Sequence, residues 1–168
     1  LGRLVGLFYL IPLIYFTYKK SVKGNALFFL YTILFLICLQ GFIGWYMVQS
    51  GLTERTDVSH YRLALHLTVA FIIFILLLWN YLDYRKKNII TSNKKLSNFL
   101  PIFFMICLLV QICIGAFVSG LDAGQIYQSW PLMGDKYFPN DSTIKELFSL
   151  KVFETPSLVQ FIHRNIAY

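Results

Sequence analysis

The chain has 168 residues, of which 57% are hydrophobic, 18% aromatic and only 14% charged, and its mean hydropathy is +0.61. Soluble domains carry about 25% charged residues, so an ordinary soluble fold is excluded. The net charge of +7 sits mostly in two short loops, without the aromatic-interleaved basic stripe of a nucleic-acid surface, which excludes a nucleic-acid partner too.

Residues 26–48, 63–82 and 96–121 carry no charge. A hydrocarbon core of about 30 Å takes roughly 20 apolar residues as helix, and each stretch is long enough. Five apolar elements follow along the chain, at about 4–18, 26–48, 58–84, 98–118 and from 156 onward. The predicted fold class is all-α transmembrane, an antiparallel helix bundle. The chain starts at Leu1 without Met and stops at Tyr168 inside an apolar run, so it reads as an excerpt, expected to be inactive alone.

Loop charge sets the expected orientation. Lys19, Lys20 and Lys23 follow the first element; Arg85, Lys86, Lys87, Lys94 and Lys95 follow the third. Both loops should face the cytoplasm or matrix. The loop at 49–57, with Glu54, Arg55 and Asp57, and segment 119–155, with five acids and three lysines, should face outward. Segment 119–155 is too long for a plain connection. It reads equally as a lid or as a covering loop. Turn residues fill its first part, and Asp141 or Ser142 should cap a short helix over 143–153. Ile144, Leu147, Phe148 and Lys151 are helically spaced there, which suits a membrane surface.

The second and fourth spans share a pattern. Gln40, Ile43 and Gly44 precede Ser50-Gly51-Leu52; Gln111, Ile114 and Gly115 precede Ser119-Gly120-Leu121. Both copies run from inside to outside. The glycines either let helices approach closely or make room for a flat cofactor. The glutamines should hydrogen-bond a neighbouring helix, because an unpaired amide in lipid is costly. Cys38, Cys107 and Cys113 all lie inside apolar spans and read as packing residues.

Three histidines complete the inventory. His60 opens the third span and reads as interfacial. His66 lies six residues further along, about 9 Å as helix, and His163 lies a similar distance into the fifth span. Ionisable groups at that depth face protein and often mark function. A neutral imidazole can bind haem iron axially, and a nearby arginine can fork onto a propionate. Arg62 precedes His66 by four residues, and Arg164 follows His163. From these residues alone, a hydrogen-bonded structural histidine stays open beside a ligand.

The strings Gly44-Trp45-Tyr46-Met47-Val48-Gln49-Ser50-Gly51-Leu52 and Val58-Ser59-His60-Tyr61-Arg62-Leu63-Ala64-Leu65-His66-Leu67 resemble the haem A synthase family. So do Gly120-Leu121-Asp122-Ala123-Gly124, Trp130-Pro131-Leu132-Met133-Gly134 and Gln160-Phe161-Ile162-His163-Arg164-Asn165-Ile166-Ala167-Tyr168. The resemblance spans nearly the whole chain. It implies eight helices in a pseudo-twofold pair of four-helix bundles. Residues 1–95 would be most of the amino-terminal half, and 96–168 the start of the carboxy-terminal half.

The resemblance further implies oxidation of the C8 methyl of haem O to a formyl group, with oxygen from water, to make haem A for cytochrome oxidase. His66 would bind the iron of the substrate, haem O. His163 would bind the iron of a haem b cofactor. Arg62, Arg164 and Arg3 would anchor propionates. Gly2-Arg3 matches the tail of a His-Arg-x-x-Gly-Arg motif. The family's catalytic glutamate would lie upstream, so no catalytic residue is assigned within the chain. Its second-copy counterpart is Gln160, which cannot act as a base. His60 stands where the family usually has proline, which speaks against a ligand role for it.

The implied location is the bacterial plasma membrane, or the mitochondrial inner membrane, with His66 and His163 near the outer face. Implied partners are haem O synthase, cytochrome oxidase assembly factors, membrane lipid and a second copy of the chain. The rival readings are a membrane di-haem b-type electron-transfer subunit without hydroxylase activity, and a transporter or structural membrane protein without haem.

Overall fold

The computed structural model describes residues 2–51, 58–86 and 99–168. Glu54, Arg55, Asp57, Lys87, Lys94 and Lys95, which carry part of the orientation reading, lie outside these residues. The chain folds into α1 (Gly2–Tyr18), α2 (Asn25–Gly51), α3 (His60–Lys86), α4 (Phe99–Gly120) and α5 (Pro156–Ala167). No strand occurs among the described residues. The all-α transmembrane reading is borne out, and each predicted span matches a helix.

The stretches Asn25–Gln49, His60–Arg85 and Phe99–Gly120 are long and apolar enough to cross a membrane. At about 1.5 Å per residue, even the 22-residue α4 exceeds the apolar thickness of a bilayer. Large side chains such as Phe28, Phe35, Trp79 and Phe104 stand exposed along these helices. Water would penalise such a surface, whereas lipid accepts it. The protein is therefore an integral membrane protein.

Two compact units form. The first contains α1, α2 and the stretch of α3 from Val69 onward. Leu13, Ile33 and Ile73 are its buried residues. The Tyr9 hydroxyl donates to the Leu30 carbonyl at 2.9 Å, satisfying a polar group that lipid could not.

The second unit contains the start of α3 to Thr68, then α4, the long connection and α5. Its core joins Ala64, Ile114, Ala116, Phe117 and Val159, with Leu67, Cys113, Leu121, Phe153 and Ile162 packed around them. Small residues recur here because helices in lipid associate through close contact and dispersion more than through water exclusion. Gly120 is the tightest point: a Cβ there would meet the Cα and Cβ of His60 at 2.8 Å. His60 itself packs against Tyr61 and Phe117, with ring centroids 4.3 and 5.7 Å away. It is a packing residue at the start of α3.

The connection between α4 and α5 is ordered by its own hydrogen bonds. The Met133 N–H donates to the Lys136 carbonyl at 2.7 Å in an isolated antiparallel bridge. The Ser129 hydroxyl donates to the Leu132 carbonyl at 2.8 Å and accepts the Gly134 N–H at 3.1 Å. Ser142 and Ser157 pair through their hydroxyls at 3.0 Å, tying the end of the connection to α5.

One expectation is corrected here. The single helix predicted over 143–153 is two short 3-10 turns, Glu146–Phe148 and Leu150–Phe153. Ser149 separates them in extended backbone, φ −110° and ψ 158°. Its hydroxyl donates back to the Glu146 carbonyl at 2.9 Å, a local bond that competes with helix continuation. Nor do Asp141 or Ser142 supply the cap: the Glu146 carboxylate takes the Thr143 N–H at 2.9 Å. Ile144, Phe148 and Leu150 are left exposed on these turns.

Gly120→Ala should lower the thermal midpoint of the detergent-solubilised protein, because overpacking costs about 1–3 kcal/mol. Gly41→Ala, where a Cβ meets nothing within 4 Å, should leave the midpoint unchanged or raise it. Circular dichroism melts of the two variants make the comparison.

Candidate functional site

His163 lies on α5, half-buried, between the core residues Val159 and Ile162 and the exposed end of the helix. Pro156 sits in the first turn of α5, where the missing N–H is no loss and the ring presets the backbone. Ser157, Leu158, Val159 and Gln160 are buried, so the helix is seated along its first two turns before it reaches His163.

Two residues of α4 meet the imidazole. The Gln111 amide nitrogen donates to the His163 carbonyl oxygen at 3.0 Å and stands 3.4 Å from the ring Nε2. Gly115 lies beneath the ring: a Cβ there would stand 3.2 Å from Cε1 and 3.8 Å from Nδ1. Gln111 and Gly115 are one helical turn apart and so share a face of α4. The Nδ1 atom is buried with no hydrogen-bond partner among the described residues. Gln111 thus bonds a neighbouring helix, as expected from its cost in lipid, and Gly115 makes room for a ring, that of the histidine.

Arg164 and Gln160 act on the connection instead. The Arg164 guanidinium donates to the Tyr127 carbonyl at 2.6 Å and the Ser129 carbonyl at 2.9 Å. The buried Gln160 amide donates to the Tyr127 carbonyl at 2.9 Å and the Gly124 carbonyl at 3.4 Å. Two side chains one turn apart therefore hold residues 124–129 against α5. Further along, the Tyr137 hydroxyl donates to the Asn165 side-chain oxygen at 2.5 Å, and the Trp130 indole N–H bonds the Tyr168 hydroxyl. The Tyr127 hydroxyl donates to Asp141 at 3.3 Å. Loss of solvent, then the Asp141 carboxylate, holds the Tyr127 phenol above its ordinary value of 10.0, so it remains a neutral donor.

His66 and Arg62 are both half-buried in the first two turns of α3, on the stretch whose Ala64 and Leu67 pack into the core. Arg3 is exposed near the start of α1. No group of three or more His, Cys, Asp or Glu side chains converges among the described residues.

An iron porphyrin brings its own four equatorial nitrogens, so a protein site for it needs axial imidazoles and space for a flat ring. A partly buried imidazole whose Nε2 meets only an amide NH2 at 3.4 Å is chemistry of that kind. The residues present fit a haem ligand. The residues whose role the sequence left general were Gln111 and Gly115. Their spacing signalled one helix face, but nothing in the linear order named His163 as the group they meet.

The family described as COX15-CtaA, cytochrome oxidase assembly protein, matches residues 1–168. The chain is similar to the "Heme A synthase" of Pelagibacter ubique, 48% identical over 170 residues, which cover 100% of the chain and 49% of that protein. It is 46% identical over 169 residues to the protein of the same name from Wolbachia pipientis, covering 99% of the chain and 51% of that protein. For the one from Flavobacterium johnsoniae the identity is 41% over 175 residues, 100% of the chain and 50% of that protein. The chain spans about half the length of the curated relatives it matches. No solved structure gives a significant match.

The clamp on residues 124–129 has a direct test. Gln160→Glu would set a carboxylate against two carbonyl oxygens and should destabilise by about 1–3 kcal/mol. Arg164→Met should open the same segment locally. Limited proteolysis should then cut near residues 124–130 at protease levels that leave the parent protein intact.

Proposed function

The chain belongs to the COX15-CtaA family of cytochrome oxidase assembly proteins, and from that premise we propose that it works as a haem A synthase. The reaction oxidises the C8 methyl of haem O to a formyl group, with water as the oxygen source. The observation that carries the reading is the part-buried imidazole of His163, seated over Gly115 with only an amide NH2 at 3.4 Å from its Nε2, in a chain whose curated relatives are heme A synthases.

In this reading His163 would hold the iron of a haem b cofactor, and His66 would hold the iron of the substrate haem O. The iron porphyrin, when bound, supplies the redox chemistry. The chain's own work is to bind, orient and enclose. Arg62 and Arg3 are proposed propionate anchors. Arg164 is proposed as a third; two of its N–H groups hold the Tyr127 and Ser129 carbonyls, and a guanidinium has five to give. Its contacts would then tie a propionate to the connection between α4 and α5. Gln160 lacks a carboxylate and serves to hold that connection. No catalytic acid or base is assigned within the chain.

The proposed organisation is two pseudo-symmetric halves, with 1–95 in one and 96–168 in the other. The proposed setting is the bacterial plasma membrane, with both histidines near the outer face. That orientation is supported by the lysines at 19, 20 and 23 after α1 and by the acids of the α4–α5 connection. Haem O synthase and oxidase assembly factors are the proposed partners, and a second copy of the chain is a further one.

Expression of the complete gene product with a supply of haem O tests the activity. Extracted haem should include a formyl-bearing species, read by its reduced pyridine spectrum. A b-type spectrum without that species would instead identify an electron-transfer subunit. His163→Ala should remove b-type absorbance while the protein remains in the membrane. Arg62→Leu should weaken haem O binding by about tenfold or more, the value of a charge-assisted hydrogen bond.

A further inference from the structure

We propose that Gln111 is the positioning residue that sets the tautomer and ring orientation of His163, with Gly115 as the floor of its seat. The proposal rests on the reading of His163 as a haem ligand and describes how that ligand is prepared before a ring arrives.

The atoms fix the direction of the hydrogen bonds. The Gln111 Nε2 atom lies 3.0 Å from the His163 carbonyl oxygen. A carbonyl oxygen only accepts, so the amide atom beside it must be the NH2 group. The same NH2 group stands 3.4 Å from the ring Nε2. It has two N–H bonds, one for each acceptor. The ring Nε2 therefore presents its lone pair, and the proton of the neutral imidazole sits on Nδ1.

The surroundings hold that arrangement. Gln111 Oε1 is buried with no hydrogen-bond partner among the described residues, so the contacts to His163 are what orient the amide. Gly115 closes the other side, 3.2 Å from Cε1 to the position a Cβ would take. A side chain there would make the ring give by a few tenths of an ångström. An amide that served only to join two helices would need the backbone carbonyl alone. Here a single NH2 group spans backbone and ring of the same residue, and its second N–H faces the ring Nε2.

Iron takes an unprotonated imidazole nitrogen, and the group hydrogen-bonded to a ligand's ring governs its tautomer and orientation. Gln111 keeps the Nε2 lone pair of His163 presented and occupied by a weak donor. A haem iron, when bound, would take the place of that donor at an Nε2 already unprotonated. The ligand is thus preorganised without a carboxylate partner, in a membrane segment where a buried charge would be costly.

The test uses the complete gene product in detergent, free of haem and labelled with 15N in its histidines. The His163 nitrogens should report Nε2 unprotonated and Nδ1 protonated. Gln111→Met, of similar length without a donor, should give a mixture of tautomers. Gln111→Glu offers only acceptors and should move the proton to Nε2. Titration with haem b should then show binding weakened by about tenfold in Gln111→Glu, with a shifted midpoint potential in whatever haem is bound. Identical tautomers and identical haem affinity across parent, Met and Glu proteins would overturn the proposal and leave Gln111 as helix-to-helix glue. Unchanged haem binding by His163→Ala would sink the ligand reading instead. The haem-free nitrogen signals would still decide whether Gln111 sets the ring.

Discussion

The close approach of α5 to the last turns of α4 is the constraint on which the second unit depends. Helices in lipid gain little from excluding water, since the alternative solvent is equally apolar. They must gain from contact, and contact needs small side chains. Ala116 and Ala64 are buried in that unit's core, Gly115 admits the His163 ring, and Gly120 admits the backbone of His60. Each is a place where one extra carbon would separate two helices. Phe117, Phe153 and Tyr61 then fill the space around them with rings in mutual contact.

Polar groups follow from the same constraint. A donor or acceptor inside an apolar span must find a partner within the protein. Gln111 finds the backbone and ring of His163; Gln160 finds the carbonyls of Gly124 and Tyr127. Both amides thereby do more than pack. One meets the ring that is proposed to bind iron, and the other holds Gly124 and Tyr127 of the connection to α5. The helix that carries His163 is also the helix that fastens the α4–α5 connection. Any movement of α5 therefore changes both.

Much of the fold was legible before any coordinates. Uncharged runs of twenty residues or more read directly as spans, because only a helix satisfies its own backbone in lipid. The recurring Gln-x-x-x-Gly spacing marked one face of α2 and of α4. The turns around 143–153 were not legible in the same way. Ile144, Leu147, Phe148 and Lys151 have helical spacing, but spacing reports a face only if the helix forms. The Ser149 hydroxyl bonds the Glu146 carbonyl, and the helix ends after one turn. Competition of this kind depends on a few tenths of an ångström and leaves no periodic trace.

Order along the chain was sufficient for the number of spans, the all-α class and the identity of the histidines worth examining. Each depends on local composition and on the cost of charge in lipid, which act residue by residue. Folding added the meetings between distant segments: Gln111 with His163, Gly120 with His60, and Arg164 with the carbonyls of Tyr127 and Ser129. Backbone carbonyls are the same at every position, so no sequence pattern marks which of them an arginine will find. That choice is made by how tightly two helices pack, and the packing is a property of surfaces that exist after the chain has folded.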